Sequence, residues 1–314
     1  MRLAPILAPI TAPIIALAAA ALCAPAALAQ APASTAPPKL GFPLACQIGK
    51  TCEVQHYVDR DPGPGMADYH CGRRTEPQHT GVDIRLPDMA AQRRGVAVLA
   101  AAAGRVVRVR DGVADISVRK VGVASVDKIG CGNAVVVDNG GGWTTAYCHL
   151  ANGSVSVKPG DHVAAGHPLG RVGLSGLTEF PHLHFEVRHD NAVVDPFAPA
   201  PGANPSCGAL DPLWTPAALN ELAYKAGDLM IVGLSGDRSA VERMDEGTAP
   251  PLTAAAPVMV IYVRAIGLEA GDQIEMRLLD PQGRVIADSR APALPSYKDQ
   301  YDIGLAHARP PAGW

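Results

Sequence analysis

Two histidines one residue apart, His182 and His184, sit in the stretch Phe180-Pro181-His182-Leu183-His184-Phe185-Glu186-Val187-Arg188. The stretch alternates. Leu183, Phe185 and Val187 fall on one face of an extended strand, and His182, His184 and Glu186 on the other. A strand rises about 3.3 Å per residue, so the two imidazoles stand about 6.6 Å apart at their Cα atoms and point the same way. That spacing lets them share one metal centre, one ring ligating while its neighbour stays free for proton work. The plainer reading is a half-buried strand whose polar face carries two histidines.

A second group lies upstream, in His79-Thr80-Gly81-Val82-Asp83-Ile84-Arg85-Leu86. Gly81 permits a turn, and Val82 to Leu86 alternates as a strand. A histidine on a loop and a carboxylate at a strand start can converge on one cation through the bend; on a helix the same spacing would be an ordinary surface pair. His149 stands between the two groups, in Tyr147-Cys148-His149-Leu150.

The elements that must position these residues read as short strands and tight turns. The chain has 314 residues, with 32 Gly, 29 Pro and only 4% aromatics, a balance that favours turns over long helices. This length suggests two domains and a sizeable core. Gly95–Ala100 and Gly104–Val109 look like strands joined by a small-residue turn, and Arg110–Lys128 reads as a surface excursion. Asn133–Asp138 and Trp143–His149 read as a hairpin around Asn139-Gly140-Gly141-Gly142. Val157–Gly170 carries short apolar pairs between glycines and leads into the histidine strand. The net charge of -3 and the lack of a basic stripe leave nucleic-acid binding without support.

The first 29 residues read as a signal peptide: Arg2, an uncharged Ala/Leu/Ile/Pro run, and Ala27-Leu28-Ala29 as the cleavage pattern. Pro5, Pro9, Pro13 and Pro25 disfavour a stable membrane span, so no membrane anchor is expected after cleavage. Leu22 is too large for lipoprotein processing at Cys23. Residues 30–45 read as a linker rich in Ala and Pro. Cleavage leaves Cys46, Cys52, Cys71, Cys131, Cys148 and Cys207, an even number that reads as disulfides in an oxidising compartment, periplasmic or extracellular. The hairpin folds Cys131 back near Cys148; the other pairings cannot be deduced.

His79-x-x-x-Asp83, His149 in Tyr-x-His-Leu, and Pro181-His182-x-His184-Phe185-Glu186, taken in this order, resemble the M23 family of zinc metallopeptidases of the LytM and lysostaphin type. Val157–Gly170 is similar to the family as well. The resemblance covers about residues 75–198, roughly two fifths of the chain. It implies an antiparallel β-sheet catalytic domain, placed here at residues 46–200, with one zinc held by His79, Asp83 and His184. It implies that His149 and His182 are catalytic and that the substrate is the peptide stems or cross-bridges of peptidoglycan. Degenerate members of the family are non-catalytic binding or regulatory modules, and protein substrates or a regulatory protein partner are further alternatives. Where the family commonly has Ser-Thr-Gly before Pro-His-x-His, this chain has Thr178, Glu179 and Phe180; these should lie beside the cleft and bear on substrate choice. Val157–Gly170 also resembles the hammerhead of lipoyl and biotinyl carriers, but Lys158 before Pro159 is poorly placed for modification. His56, His70, His162, His167, His189 and His307 match no family motif and read as ordinary surface or structural histidines.

Residues 201–314 read as a smaller, immunoglobulin-like β-sandwich, making the chain all-β. Pro212–Ala226 can hold a short helix. Alternation returns in Met230–Leu234, Val258–Val263 and Gln273–Leu279, followed by the turn Asp280-Pro281-Gln282-Gly283. A sandwich usually adds an edge strand after such a turn, so a truncated C-terminus is expected.

Overall fold

Alternating burial organises the structure, a computed structural model that describes residues 36–200, 207–280 and 282–309. In chain order the first elements are β1 (Glu53–His56), β2 (Val82–Arg85), helix α1 (Met89–Arg94), β3 (Ala97–Leu99), β4 (Gly104–Arg110) and helix α2 (Val118–Val121). Then come β5 (Asn133–Gly140), β6 (Trp143–Leu150), β7 (His162–Val163), β8 (Pro168–Arg171), β9 (His182–His189) and β10 (Ala192–Val194). After these stand helix α3 (Pro216–Glu221), β11 (Asp228–Ser235), β12 (Val258–Leu268), β13 (Glu275–Leu279), β14 (Val285–Arg290) and β15 (Lys298–Ala308).

One antiparallel sheet runs β1-β2-β9-β6-β5-β4-β7, with β10 also paired to β9. β9 is central because its odd positions are apolar: Leu183, Phe185 and Val187 are buried, which pays for fixing an eight-residue strand. They meet Val82 and Ile84 of β2 through the register Val82↔Phe185 and Ile84↔Leu183. Phe185 packs against Tyr147 and Trp214, with ring centroids 5.3 and 5.5 Å away. The same register sends Asp83, Arg85, His182 and His184 to the opposite face, since a strand changes face at every residue.

The β5–β6 hairpin forms as its sequence predicts, with positive φ at Gly140, Gly141 and Gly142. The disulfide Cys131–Cys148 closes its far end, and Cys46–Cys52 and Cys71–Cys207 are the other two bridges. Within the stretch read as a linker, Leu40 and Leu44 are buried in the main core, and Leu40 exchanges backbone hydrogen bonds with Leu213 and Thr215. Val118 and Val126 of the expected surface excursion are buried as well. The signal-peptide reading lies outside the described residues.

The C-terminal strands are also antiparallel: β11-β12-β15 form a sheet and β13-β14 a hairpin. β15, which follows the turn at Asp280 and was not anticipated, pairs along β12 from Leu268↔Lys298 to Val258↔Ala308. Among the described residues no helix is long and apolar enough to cross a membrane.

Phe185→Ala is expected to lower stability by about 3–5 kcal/mol, the range for emptying a buried aromatic site. Urea unfolding of the zinc-free protein measures this; a loss below about 1 kcal/mol would mean that Phe185 is not a central core contact.

Candidate metal centre

Asp83 lies at the middle of the polar face and is 5% exposed. Its carboxylate has four imidazoles around it. Oδ1 is 2.9 Å from His184 Nδ1 and 3.4 Å from His182 Nε2. Oδ2 is 3.1 Å from both His79 Nε2 and His56 Nδ1. Burial by itself would raise the Asp83 pKa; the surrounding His79 and His182 charges and the histidine hydrogen bonds outweigh it, so the carboxyl stays ionised well below its usual range.

The backbone orients each ring. His79 Nδ1–H donates to the Tyr57 carbonyl at 2.8 Å, which turns Nε2 toward Asp83. Gly81 makes room for His184: a Cβ at that position would lie 2.6 Å from His184 Nε2 and 2.7 Å from the Phe185 carbonyl. His182 Nδ1 lies 3.0 Å from both the Phe180 carbonyl and Thr178 Oγ1. His149 Nδ1–H donates to the Ser175 carbonyl at 2.7 Å, leaving Nε2 as the free nitrogen. His149 has φ 61°, a left-handed conformation uncommon for a side chain of this size. The His149 amide bonds the Cys131 carbonyl at 2.9 Å, and the neighbouring Cys131–Cys148 bridge ties down the same corner.

The structure thus brings together all five sequence-predicted residues: His79, Asp83, His149, His182 and His184. The His149 ring centroid is 4.6 Å from that of His182 and 6.0 Å from that of His184. Burial, then the nearby His182 and His184, hold His149 well below its ordinary pKa, so its ring is neutral near pH 7. These side chains line a cleft of about 940 Å³. Thr178, Glu179 and Phe180 border it, with the Phe180 ring 5.1 Å from His182.

His56 was given no part in the site from sequence, yet His56, His79 and Asp83 offer ligand atoms within 4.8 Å of one another. Its Nε2 is 2.8 Å from Asp299 Oδ1 on β15. Burial would lower its pKa, but the bonds to Asp299 and Asp83 raise it to about 10. His56 thereby links Asp83, which His79 and His184 also contact, to Asp299. The donor set of His79, His184 and Asp83, two imidazole nitrogens and a carboxylate oxygen, is one that suits zinc with a position open for water.

This site and sheet define an antiparallel β domain with a histidine-carboxylate centre at its cleft. Residues 77–196 match the description of peptidase family M23. The chain is 44% identical over 68 residues to the cell division protein DipM of Caulobacter vibrioides, covering 22% of this chain and 11% of that protein. It is 33% identical over 122 residues to the DD-carboxypeptidase/endopeptidase Mpg of Neisseria meningitidis, covering 39% of this chain and 23% of that one. The chain therefore spans less than a quarter of the length of either relative. Among solved structures, the catalytic domain of lysostaphin from Staphylococcus simulans aligns at 25% identity and a TM-score of 0.30, over 45% of this chain and 85% of that domain.

The His56–Asp299 pair has a testable signature. The folded His56 pKa of about 10 lies above the ordinary value of 6.5. Its stabilising contribution is therefore complete below that ordinary value and is lost as the pH rises through about 10. In metal-free protein, Asp299→Asn is expected to shift the His56 titration downward, read by ring-nitrogen NMR. An unmoved titration would show that Asp299 does not hold the proton.

Proposed function

We propose that this protein is an exported zinc metalloendopeptidase that hydrolyses peptide bonds in the stems or cross-bridges of peptidoglycan. The observation that carries the reading is the buried Asp83 carboxylate contacted by His79 and His184, with the unshared Nε2 of His149 facing the same cleft. The M23 match over residues 77–196 supports peptidase chemistry. The names of DipM and Mpg, a cell division protein and a DD-carboxypeptidase/endopeptidase, are consistent with work on the cell wall.

In this reading His79 through Nε2, His184 through Nδ1 and Asp83 through its carboxylate would hold one zinc. The chemistry such an ion would supply is a bound water with a pKa lowered to near 7 and polarisation of a carbonyl. His149, neutral and fixed by Ser175, accepts a proton at Nε2. His182, aligned by Phe180 and Thr178, stands beside it to stabilise developing charge on the carbonyl oxygen or to protonate the leaving amine. Asp83 and His56 keep the ligand set oriented. No nucleophile from the protein is required. The signal segment and three disulfides fit a periplasmic or extracellular setting.

The roles separate by mutation. His184→Ala is expected to lose both zinc and hydrolysis. His149→Ala and His182→Ala are expected to keep zinc and lose about 10²–10⁴-fold in rate, the usual contribution of a positioned acid or base. Metal analysis and digestion of purified peptidoglycan check both. Hydrolysis at the wild-type rate by either zinc-replete variant would remove that histidine from the mechanism.

A further inference from the structure

Arg85 is a buried charge that the metal centre leaves unexplained. It sits two residues beyond Asp83 on β2, on the same face, directly across from His182 in the register. It is 1% exposed. Its hydrogen bond is to a neutral amide, Nη1 to Gln55 Oε1 at 3.1 Å, and its guanidinium lies over the Phe180 ring at 3.9 Å. Among the described residues it makes no ion pair within 4.0 Å and its Nε has no hydrogen-bond partner; burial and the nearby Arg264 disfavour its charge, which the more distant Asp245, Asp299 and Asp302 favour. A guanidinium taken out of water without a counter-charge is costly, so buried arginines are normally paired.

Arg85 borders a cavity of about 260 Å³, separate from the main cleft but sharing Glu179 and Phe180 with it as a common wall. That volume is many times the roughly 10–15 Å³ that one water needs. The acids around the cavity are already engaged. Glu179 pairs with Arg119 at 2.6 Å and Glu246 with Arg93 at 3.2 Å. Asp88 caps helix α1 through the Ala91 amide, and Asp115 accepts from the Asn152 and Leu174 amides. Asp245 is taken by Arg264, the other buried arginine on this cavity, which Asp302 also holds through two hydrogen bonds. Arg264 is thereby neutralised, whereas Arg85 has no direct ion pair and feels Asp245, Asp299 and Asp302 only at longer range.

We propose that this cavity is a substrate subsite in which Arg85 receives a free carboxylate of the peptide, one strand position past the reacting centre. The proposal rests on the peptidase reading for the identity of its ligand. A planar guanidinium matches a carboxylate with two parallel N–H···O bonds, and Phe180 holds the plane in place. Phe180 then serves both sides of the wall, packing on Arg85 in the subsite and on His182 in the cleft.

The test compares a synthetic stem peptide carrying a free C-terminal carboxylate with the same peptide as its carboxamide. Binding by calorimetry and hydrolysis are followed on the same zinc-loaded protein. Wild-type protein is expected to prefer the carboxylate by about 10- to 100-fold, the scale of a charge-assisted bidentate contact. Arg85→Gln is expected to bind both forms alike with its zinc content unchanged, and Arg85→Lys to restore part of the preference. Equal binding of the two peptides by wild type would overturn the subsite, and so would a preference that persists in Arg85→Gln. Because the wild-type comparison decides by itself, the proposal stays testable if Arg85→Gln does not fold. A carboxylate preference without turnover would uphold the subsite while refuting the peptidase reading.

Discussion

The site depends on one buried carboxylate. Asp83 is nearly inaccessible, and four imidazoles approach its two oxygens within 3.4 Å. A lone carboxylate at that depth would be strongly disfavoured. Surrounded by nitrogen donors it stays charged and sets the spacing of the rings. β2 and β9 must therefore hold one register, because a slip by one residue would send Asp83 into the apolar core and Val82 or Ile84 into the cleft. Burial of Leu183 and Phe185 beneath it opposes that slip. Packing on one face of the sheet thus maintains chemistry on the other.

A relay of polar contacts extends this site beyond the two strands. His56 joins Asp83 to Asp299, and Asp299 also accepts from Gln55, whose carbonyl oxygen receives Arg85. One residue on β15 therefore touches the supports of both the candidate metal ligands and the cavity arginine. The C-terminal strands take part in the architecture of the cleft, where Asp299 is part of the lining. Glu179 and Phe180, which differ from the common family pattern, form the wall between cleft and cavity, a place where side-chain identity bears directly on what substrate can enter.

The parts legible in the sequence were those encoded locally. Period-two alternation located β9 and put His182 and His184 on the face opposite Phe185. The Asn-Gly-Gly-Gly turn implied the β5–β6 hairpin and, with it, the Cys131–Cys148 bridge. The order of the histidine motifs carried the M23 resemblance. Contacts made across long separations were not legible. Cys71 and Cys207 are 136 residues apart, and nothing in their surroundings pairs them. His56 lies in no motif and gains its place only through Asp299, 243 residues away. Arg85 was visible on the alternating strand with Asp83, but its lack of a direct ion pair is a property of the packed interior. Leu40 and Leu44 sit in an Ala/Pro-rich stretch whose composition suggested a linker, and their burial depends on partners such as Leu213 that composition does not reveal.

The central claim is that Asp83 and the histidines around it hold one zinc that makes this domain a hydrolase. The most direct test is the zinc content of the chain from Gln30 onward, measured together with its action on purified peptidoglycan before and after chelation. The account predicts about one zinc per chain, release of peptide fragments, and loss of that release when the metal is withdrawn and its recovery when zinc is returned. A chain that binds no zinc, or one whose hydrolysis is indifferent to chelation, would contradict it.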